Sequence, residues 1–257
     1  MTDKELAASE NHAEQSRQLE QLLLQRQKWL GDASHELRGP LNAAAMSLNV
    51  VTRRDDLPDG VHATLRNAER HLLHMSDLVR DMFDTAKLEN DAFELSMTAG
   101  VGVHEIVEEI VEEFAANPGV LSLRSIPDHT ITATLDRDRI RQVVRNVVSN
   151  AAKYHQTDKQ ATIAVLLHRM DDAYFEIVVD DTPNGLGMTK TDLEALNSGQ
   201  PFWRAEAAKA VATGTGLGVQ LSRKLVERSG GEILYESEFG FETTVTIRLP
   251  YKSQTDA

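Results

Sequence analysis

Apolar residues recur at alternating spacings of three and four along much of the first 90 residues. The first run consists of Leu23, Leu30, Leu37, Ala44 and Val51, with Leu41 and Leu48 between them. The second run consists of Val61, Leu65, Ala68, Leu72, Met75, Val79, Met82 and Ala86. This spacing is typical of helices that pack along a shared seam. The segment DDLPDG at 55–60 separates the runs and is rich in helix breakers. We therefore predict two long helices joined by a turn.

Two helices alone bury one apolar stripe each and leave much of it in water. Pairing two such antiparallel hairpins into a four-helix bundle is the economical solution. We therefore predict a homodimer formed through residues of about 20–88. The polar residues 1–20 are predicted to extend the first helix as a coiled coil.

Composition excludes several classes of protein. The 257 residues allow one or two domains, and the net charge of −13 argues against a nucleic-acid partner. There are no cysteines, which excludes disulfides and cysteine-ligated metals. No apolar run is long enough to span a membrane, and the polar N-terminus does not resemble a signal peptide.

His35 lies on the first predicted helix, away from the seam. At 100° per residue it stands about 160° from Leu37. The neighbouring Glu36 carboxylate is suited to orienting the imidazole ring, which would make the other ring nitrogen a better nucleophile. Pro40 removes a backbone N–H and Gly39 loosens the same turn, so the helix is predicted to bend easily there. These residues alone suit either a nucleophilic histidine or an ordinary surface histidine at a kink.

The remaining residues alternate between strand and helix patterns. Strands are predicted at 93–97, 120–125, 131–135, 161–168, 174–180, 232–236 and 243–249. Helices are predicted at 103–116, 136–154 and 216–229, with Asp136 as an N-cap. Strands in hairpins with segregated helices predict an α+β fold, a mixed sheet covered by helices on one face.

Polar residues mark one edge of the helix predicted at 136–154. Asn146 and Asn150 lie four apart on one face, and Lys153 and Tyr154 extend that face. Two amide oxygens, a cation and an aromatic ring suit a magnesium-phosphate group, since Mg²⁺ takes oxygen ligands and keeps most of its waters. The spacing also suits two exposed asparagines on a surface helix.

A second polar segment, DDTPNGLGM, follows the strand predicted at 174–180. Asp181 continues the phase of the inward-facing strand residues, so its carboxylate should point inward, where it is costly without a partner. An adenine amino group would be a suitable partner. Gly185 and Gly187 permit a tight turn and the close approach of a ligand, although such a sequence also suits a plain hairpin turn.

The third segment, GTGLG, leads into the helix predicted at 216–229. It contains Gly214, Gly216, Leu217 and Gly218. Glycines at a helix N-terminus expose backbone N–H groups and the positive dipole end to phosphate. The preceding stretch 200–213 is predicted to fold over a nucleotide as a lid. No G-K-[ST] follows, so the segment is not a P-loop.

In this order the segments resemble the cytoplasmic core of a sensor histidine kinase of the two-component type. SHELRGPL resembles the H box, RNVVSNAAKY the N box, DDTPNGLGM the G1 box, PFW the F box and GTGLG the G2 box. FETTVTIRLP resembles the closing strand of that family. The resemblance spans about residues 20–250. It implies a dimeric helical phosphoacceptor domain followed by an α+β ATP-binding sandwich of the GHKL type.

The resemblance implies a role for each site residue. His35 would accept the γ-phosphate of ATP, with Glu36 as its general base, and Asn150 would ligate Mg²⁺. Asp181 would read the adenine amino group. The phosphates and nucleotide would be lined by Asn146, Lys153 and Tyr154. The pocket and lid would be shaped by Gly185, Gly187, Gly214, Gly216, Leu217 and Gly218.

The same resemblance implies a domain order and partners. The order is an N-terminal helix at 1–20, the phosphoacceptor domain at 21–90, the ATP-binding domain at 91–251 and a tail at 252–257. The phosphoryl group would pass from the homodimer to an aspartate of a response regulator. A cytoplasmic location is expected, either as a soluble kinase or as part of a longer sensor.

Two positions depart from the family pattern. Gly39 stands where the family usually has Thr or Asn to orient water for dephosphorylating the regulator, so weak phosphatase activity is expected. The G1 box contains an extra Thr182-Pro183, so the adenine contact could come from Asp181, come from Asp180 or be impaired. The phase of the strand favours Asp181.

Two other functions remain open at this point. The altered G1 box also suits a catalytically impaired signalling scaffold or phosphotransfer module. A GHKL ATPase without a phosphohistidine is the other alternative, but it leaves the hairpin with its exposed His-Glu pair unexplained.

Overall fold

The computed structural model describes Leu37 and residues 39–52, 58–89, 94–115, 120–126, 131–198, 203–211 and 216–252. The chain divides into two compact units, residues 1–93 and 94–257. In the part of the chain that is described, no helix combines the length and apolar character needed to cross a membrane.

The first unit contains the predicted pair of helices. Helix α1 covers 39–52, and α2 runs from Asp59 to Glu89. The Pro58 carbonyl accepts the N–H groups of Val61 at 2.8 Å and His62 at 3.1 Å, which begins α2. Ser76 on α2 donates to the Asn42 amide oxygen on α1 at 3.1 Å, so the two helices are in contact. The predicted turn falls partly on residues 53–57, which lie outside the described residues.

Much of the predicted seam is uncovered in this single chain. Ala45 and Phe83 are buried, although neither belongs to the two predicted runs. Five seam residues instead are 38% to 49% exposed: Leu37, Val51, Val61, Met75 and Met82. Two helices can cover only part of each other's apolar stripe, and these residues form the part left over.

The second unit is built around a mixed five-stranded sheet in the order β2-β4-β5-β7-β6. The pair β2–β4 is parallel and the other neighbours are antiparallel. Its strands are β2 (Val120–Ile126), β4 (Ala161–Arg169), β5 (Tyr174–Asp180), β6 (Glu232–Glu238) and β7 (Glu242–Pro250). Strands β1 (Thr98–Gly102) and β3 (Thr132–Leu135) form a separate antiparallel pair.

Helices pack on one face of this sheet, as the sequence predicts. They are α3 (Val103–Ala115), α4 (Arg137–Lys153), α5 (Lys190–Asn197) and α7 (Gly218–Arg228), while the short α6 (Glu206–Val211) buries none of its residues. The buried face of α4 consists of Ile140, Val143, Val144, Val147, Val148 and Ala151, the six residues that the spacing selects. Every second residue of β5 faces this layer, from Phe175 to Val179. The α+β sandwich is therefore confirmed.

The capping residue Asp136 fixes where α4 begins. Its carboxylate accepts the N–H of Arg139 at 3.1 Å, which caps the helix. The second carboxylate oxygen accepts the N–H of Ser96 at 2.8 Å. One buried side chain therefore sets the start of the helix and ties it to the segment before β1.

The strand predicted at 93–97 is wrong. Residues 94–97 have no regular structure, and β1 begins only at Thr98. Glycines are unfavourable in strands, so strand propensity does not predict β1, which contains Gly100 and Gly102. Pairing with β3, in which Val101 lies opposite Ala133, makes the strand. Helices α5 and α6 are also absent from the prediction.

Candidate functional site

Asn146 joins the middle of α4 to the start of α7. Its amide donates to the Ser222 hydroxyl at 2.9 Å. Its carbonyl oxygen lies only 2.4 Å from where a Cβ at position 218 would stand, so only glycine fits at Gly218. The sequence places Asn146 on a ligand-facing edge, whereas the structure commits its amide to contacts between two helices.

Asn150 lies one turn further along α4 and is half-buried. Its side chain makes no hydrogen bond to any residue within the described ranges, so the amide oxygen is available to a ligand. Lys153 is exposed in the last turn, and Tyr154 ends the helix by donating its N–H to the Asn150 carbonyl at 2.9 Å. Of the predicted polar edge of α4, Asn146 therefore contacts α7, whereas the Asn150 side chain has no hydrogen bond to a described residue.

Arg204 is a candidate site residue that the sequence analysis missed. Its guanidinium donates to the Ala208 carbonyl at 3.0 Å and lies 3.5 Å from the Tyr154 hydroxyl. It belongs to the predicted lid, which also contains α6. A single arginine in a stretch of small residues is the signal that could have found it.

Asp181 is buried directly after β5, as its phase predicts, and only 3% of it is exposed. One carboxylate oxygen accepts the N–H of Thr243 at 2.5 Å. Asp180 points the other way and is half-buried. Its carboxylate accepts the backbone N–H of Thr182 at 2.7 Å and contacts the Thr182 hydroxyl at 2.5 Å. Of the two acids, Asp181 is therefore the one with an inward-facing carboxylate.

Burial raises the pKa of Asp181 to about 7. The N–H of Thr243 opposes this increase by stabilising the charged form, and the nearby carboxylates of Asp180 and Glu242 add to it. Burying a carboxylate costs several kcal/mol, whereas one hydrogen bond to a charged group returns about 1.5–3 kcal/mol. Desolvation therefore dominates, and Asp181 gains from any further hydrogen-bond donor that reaches it.

The glycines of the loop 181–188, here called the Asp181 loop, lie against protein atoms. A Cβ at Gly185 would stand 2.2 Å from the Asp181 carboxylate. A Cβ at Gly187, which has φ of +63°, would stand 2.0 Å from the Glu238 carbonyl. Gly185 thus brings the loop backbone onto the carboxylate, and Gly187 brings it onto the turn between β6 and β7.

The extra residues of the Asp181 loop are held on both sides. The Thr182 hydroxyl lies 2.7 Å from the Glu242 carboxylate, and the Thr182–Pro183 peptide is cis. The Asn184 amide donates to the Gln160 carbonyl and the Thr162 hydroxyl, both at 3.1 Å. The insertion is accommodated with Asp181 still buried.

Gln156 is a second residue that the sequence analysis missed. Its side-chain amide contacts the carbonyls of Gly240 at 2.9 Å, Gly185 at 3.3 Å and Pro183 at 3.4 Å. It follows the predicted polar edge in a stretch of turn residues, so no local pattern distinguishes it. Only the fold brings these three carbonyls to one place.

Helix α7 begins without a side-chain cap. Leu217 is its N-cap and is buried, and it makes no side-chain hydrogen bond to the first turn. Gly216, with φ of +75°, precedes it, and Gly218 is the first helical residue. A helix start that lacks a side-chain acceptor suits an anionic ligand. Gly214 lies outside the described residues.

The predicted phosphate acceptor also lies outside the described residues, since neither His35 nor Glu36 is among them. Gly39 is described and lies in α1. A Cβ added there would meet nothing within 4 Å.

The described residues fit a magnesium ion that takes most of its non-water ligands from the phosphates of a bound molecule. Among the described residues, no group of three or more His, Cys, Asp or Glu side chains could hold a metal. Mg²⁺ commonly keeps several waters and takes one or two protein ligands besides substrate phosphates. The amide oxygen of Asn150 provides such a ligand.

Comparison with protein families gives two matches along the chain. Residues 25–91 match the His Kinase A (phospho-acceptor) domain. Residues 135–253 match the histidine kinase-, DNA gyrase B- and HSP90-like ATPase. The first match contains His35 and Glu36, and the second contains every other predicted site residue.

Curated relatives match across both domains. The chain is 34% identical over 239 residues to the histidine protein kinase DivJ of Caulobacter vibrioides, which covers 90% of the chain and 38% of DivJ. It is 27% identical over 240 residues to the sensor histidine kinase WalK of Bacillus subtilis. That alignment also covers 90% of this chain and 38% of WalK. The chain thus spans less than two fifths of the length of these relatives.

Solved structures share the fold. Full-length ShkA, in complex with AMPPNP, aligns with a TM-score of 0.64 and 23% identity over 88% of this chain and 46% of ShkA. The histidine kinase AdeS of Acinetobacter baumannii aligns with a TM-score of 0.56 and 21% identity over 84% of this chain and 98% of AdeS.

Replacing Asp181 with asparagine is expected to stabilise the protein. The unfolded chain ionises this group near pH 3.8 and the folded chain near pH 7, so the wild type loses stability as pH rises between these values. Asp181→Asn removes that loss while keeping an acceptor for the Thr243 N–H. We expect its free energy of unfolding at pH 8 to exceed that of the wild type by ~1–3 kcal/mol, with a smaller gain at pH 5. Urea titrations at the two pH values measure this.

The same variant is expected to bind ATP at least about tenfold more weakly, because the carboxylate is the acceptor expected for the adenine amino group. Asp180→Asn is the matched control, since its carboxylate faces Thr182. If Asp180→Asn abolishes ATP binding while Asp181→Asn retains it, the assignment is wrong.

Proposed function

We propose that this chain, which belongs to the histidine protein kinases, phosphorylates itself on His35 with ATP and passes the phosphoryl group to a response regulator. The observation that carries the proposal is the buried Asp181 carboxylate. The loop that follows it bonds the end of α4 through the Leu186 N–H and the Tyr154 carbonyl, and α4 bonds α7 through Asn146 and Ser222. A phosphoacceptor domain that contains His35 precedes this site in the same chain.

The residues divide the recognition of ATP among themselves. The Asp181 carboxylate accepts a hydrogen bond from the adenine amino group. The phosphates lie near Lys153 and the N–H groups at the start of α7, whose positive end favours negative charge. Asn150 would hold Mg²⁺, which would neutralise charge on the phosphates. Arg204, in the lid, adds a second cation near Tyr154.

The chemical step is an in-line displacement at the γ-phosphorus. A lone pair on one imidazole nitrogen of His35 forms the new N–P bond while the bond from phosphorus to the β-phosphate oxygen breaks, and ADP leaves. Glu36 orients the ring and accepts the proton from the other ring nitrogen, so no positive charge is left on the phosphorylated ring. The phosphoryl group then moves to an aspartate oxygen of the regulator as the N–P bond breaks, and Glu36 returns the proton to the ring, which restores the neutral imidazole. Because ATP is the donor, we propose that the reaction takes place in the cytoplasm.

The exposed seam residues of the helical unit support a homodimer. Leu37, Val51, Val61, Met75 and Met82 form an uncovered apolar stripe on the helices, and a second copy of the unit offers a matching stripe. The dimer completes a four-helix bundle.

An impaired signalling scaffold is the alternative that the altered Asp181 loop favours. Against it, the loop accommodates Thr182 and Pro183 through contacts to Asp180, Glu242, Gln160 and Thr162, and Asp181 stays buried. The site therefore keeps its inward carboxylate.

Autophosphorylation tests the main proposal. Incubation of the wild-type chain with γ-labelled ATP and Mg²⁺ should give an acid-labile label on the protein. The label should disappear in His35→Ala and persist in His71→Ala, a matched change at an exposed histidine of α2. Label that survives in His35→Ala, or its absence in a wild-type protein that binds ATP, would exclude the proposed acceptor.

Weak phosphatase activity is proposed from Gly39 and can be tested by restoring a side chain. A Cβ added at Gly39 meets no neighbouring atom within 4 Å, and threonine is tolerated better than glycine inside a helix. We expect Gly39→Thr to accelerate dephosphorylation of the regulator at least about tenfold, as a positioned water would. Gly39→Ala, which adds no hydroxyl, should not. A wild type that is already as fast as Gly39→Thr would contradict the proposal.

The dimer is tested by placing charge in the exposed stripe. Met75→Glu combined with Met82→Glu should convert the dimer into a monomer at micromolar concentration, because buried like charges would face each other in the bundle. Met46→Glu is the control, since Met46 is exposed on α1 but lies outside the predicted seam. Light scattering measures the mass. A wild-type monomer at that concentration would rule out the dimer.

A further inference from the structure

Gln156 links two segments that are far apart in the sequence. Its amide nitrogen lies 2.9 Å from the Gly240 carbonyl in the turn between β6 and β7. It also lies 3.3 Å from the Gly185 carbonyl and 3.4 Å from the Pro183 carbonyl in the Asp181 loop. An amide has two N–H groups, so one of them is shared between two of these three acceptors.

Backbone hydrogen bonds place the Asp181 loop between two other segments. On one side, the Gln156 N–H donates to the Asn184 carbonyl at 2.9 Å, and the Leu186 N–H donates to the Tyr154 carbonyl at 2.8 Å. On the other side, the Gly240 N–H donates to the Leu186 carbonyl at 2.8 Å. The Gln156 side chain connects the Asp181 loop to the β6–β7 turn, because its amide contacts carbonyls in both.

The contact reaches Asp181 through Gly185. The carbonyl of Gly185 accepts from Gln156, and the Cα of the same residue lies against the Asp181 carboxylate, where a Cβ would come within 2.2 Å. Movement of Gly185 away from Gln156 would open the space beside Asp181. Gln156 itself lies after the end of α4, and its side chain acts only as a donor toward the loop and turn, since its contacts there are all carbonyls.

We propose that Gln156 is a positioning residue for nucleotide binding, which fixes the Asp181 loop so that the Asp181 carboxylate faces the adenine amino group. This inference rests on the proposed ATP site. It assigns the role to the donor character of the Gln156 amide, because the three surrounding carbonyls accept hydrogen bonds and repel an acceptor.

The test replaces the hydrogen-bond donors of the Gln156 side chain with acceptors while its size stays the same. Gln156→Glu keeps the shape of the side chain but sets carboxylate oxygens against the carbonyls, whereas Gln156→Lys keeps an N–H donor. Binding of ADP to the full chain is measured by calorimetry, and the KM for ATP and the maximal rate of autophosphorylation are measured separately. Gln142→Glu is the matched control, because Gln142 is half-buried on α4 and accepts a hydrogen bond from Arg139 at 2.9 Å.

For Gln156→Glu we expect the Kd for ADP and the KM for ATP to rise about tenfold, with the maximal rate within about twofold of wild type. Gln156→Lys should stay within about threefold of wild type in Kd, and Gln142→Glu should match it. Should Gln156→Glu fail to fold, Gln156→Met removes the donor without adding charge and must show the same rise in Kd.

Unchanged ADP binding in both Gln156→Glu and Gln156→Met overturns the inference. So does a fall in maximal rate at an unchanged KM, or a loss in Gln156→Lys equal to that in Gln156→Glu. A wild-type chain that binds no ADP overturns the proposed function itself, whereas failure of the inference leaves wild-type binding intact.

Discussion

The buried carboxylate of Asp181 is the constraint around which the ATP-binding unit is arranged. A carboxylate at this depth costs several kcal/mol, and the Thr243 N–H offsets only part of that cost. The pKa of about 7 records the imbalance. Such a buried carboxylate lowers the stability of the folded protein. It favours binding of a ligand that brings a hydrogen-bond donor, because the donor offsets part of the desolvation cost. In the function that we propose, the amino group of adenine supplies that donor.

The surrounding contacts hold that carboxylate in place without satisfying it fully. Gly185 lets the loop backbone close over it, and Gln156 fastens the loop to the β6–β7 turn. The two extra residues, Thr182 and Pro183, lengthen the loop. Thr182 hydrogen-bonds to Asp180 and Glu242, and Asp181 stays buried. An insertion that looks damaging in the sequence is therefore absorbed by polar contacts at the rim.

A similar division applies to the helices around the site. Asn146 uses its amide to bind Ser222 and to pack on Gly218, which fixes the start of α7 relative to α4. The side-chain amide of Asn150, one turn away, makes no hydrogen bond to any described residue, which leaves it open to the ligand that we propose. Two asparagines on the same face of α4 thus differ in their contacts. Asn146 bonds α7, and the side chain of Asn150 is open. In the helical unit, the exposed seam residues are the surface through which we propose that a second chain packs.

The sequence by itself determined the two helices of the first unit, the order of helices α3, α4 and α7 and of all strands but β1, the buried face of α4 and the inward direction of Asp181. These features depend on local periodicity, which a chain carries in its residue spacing. Only the tertiary structure decided the rest. Strand β1 contains two glycines and exists through its pairing with β3, the roles of Asn146 and Asn150 depend on where α7 lies, and Gln156 acquires partners up to 84 residues away. Contacts between distant segments leave no periodic trace in the sequence, so the residues that make them emerge only when the chain is folded.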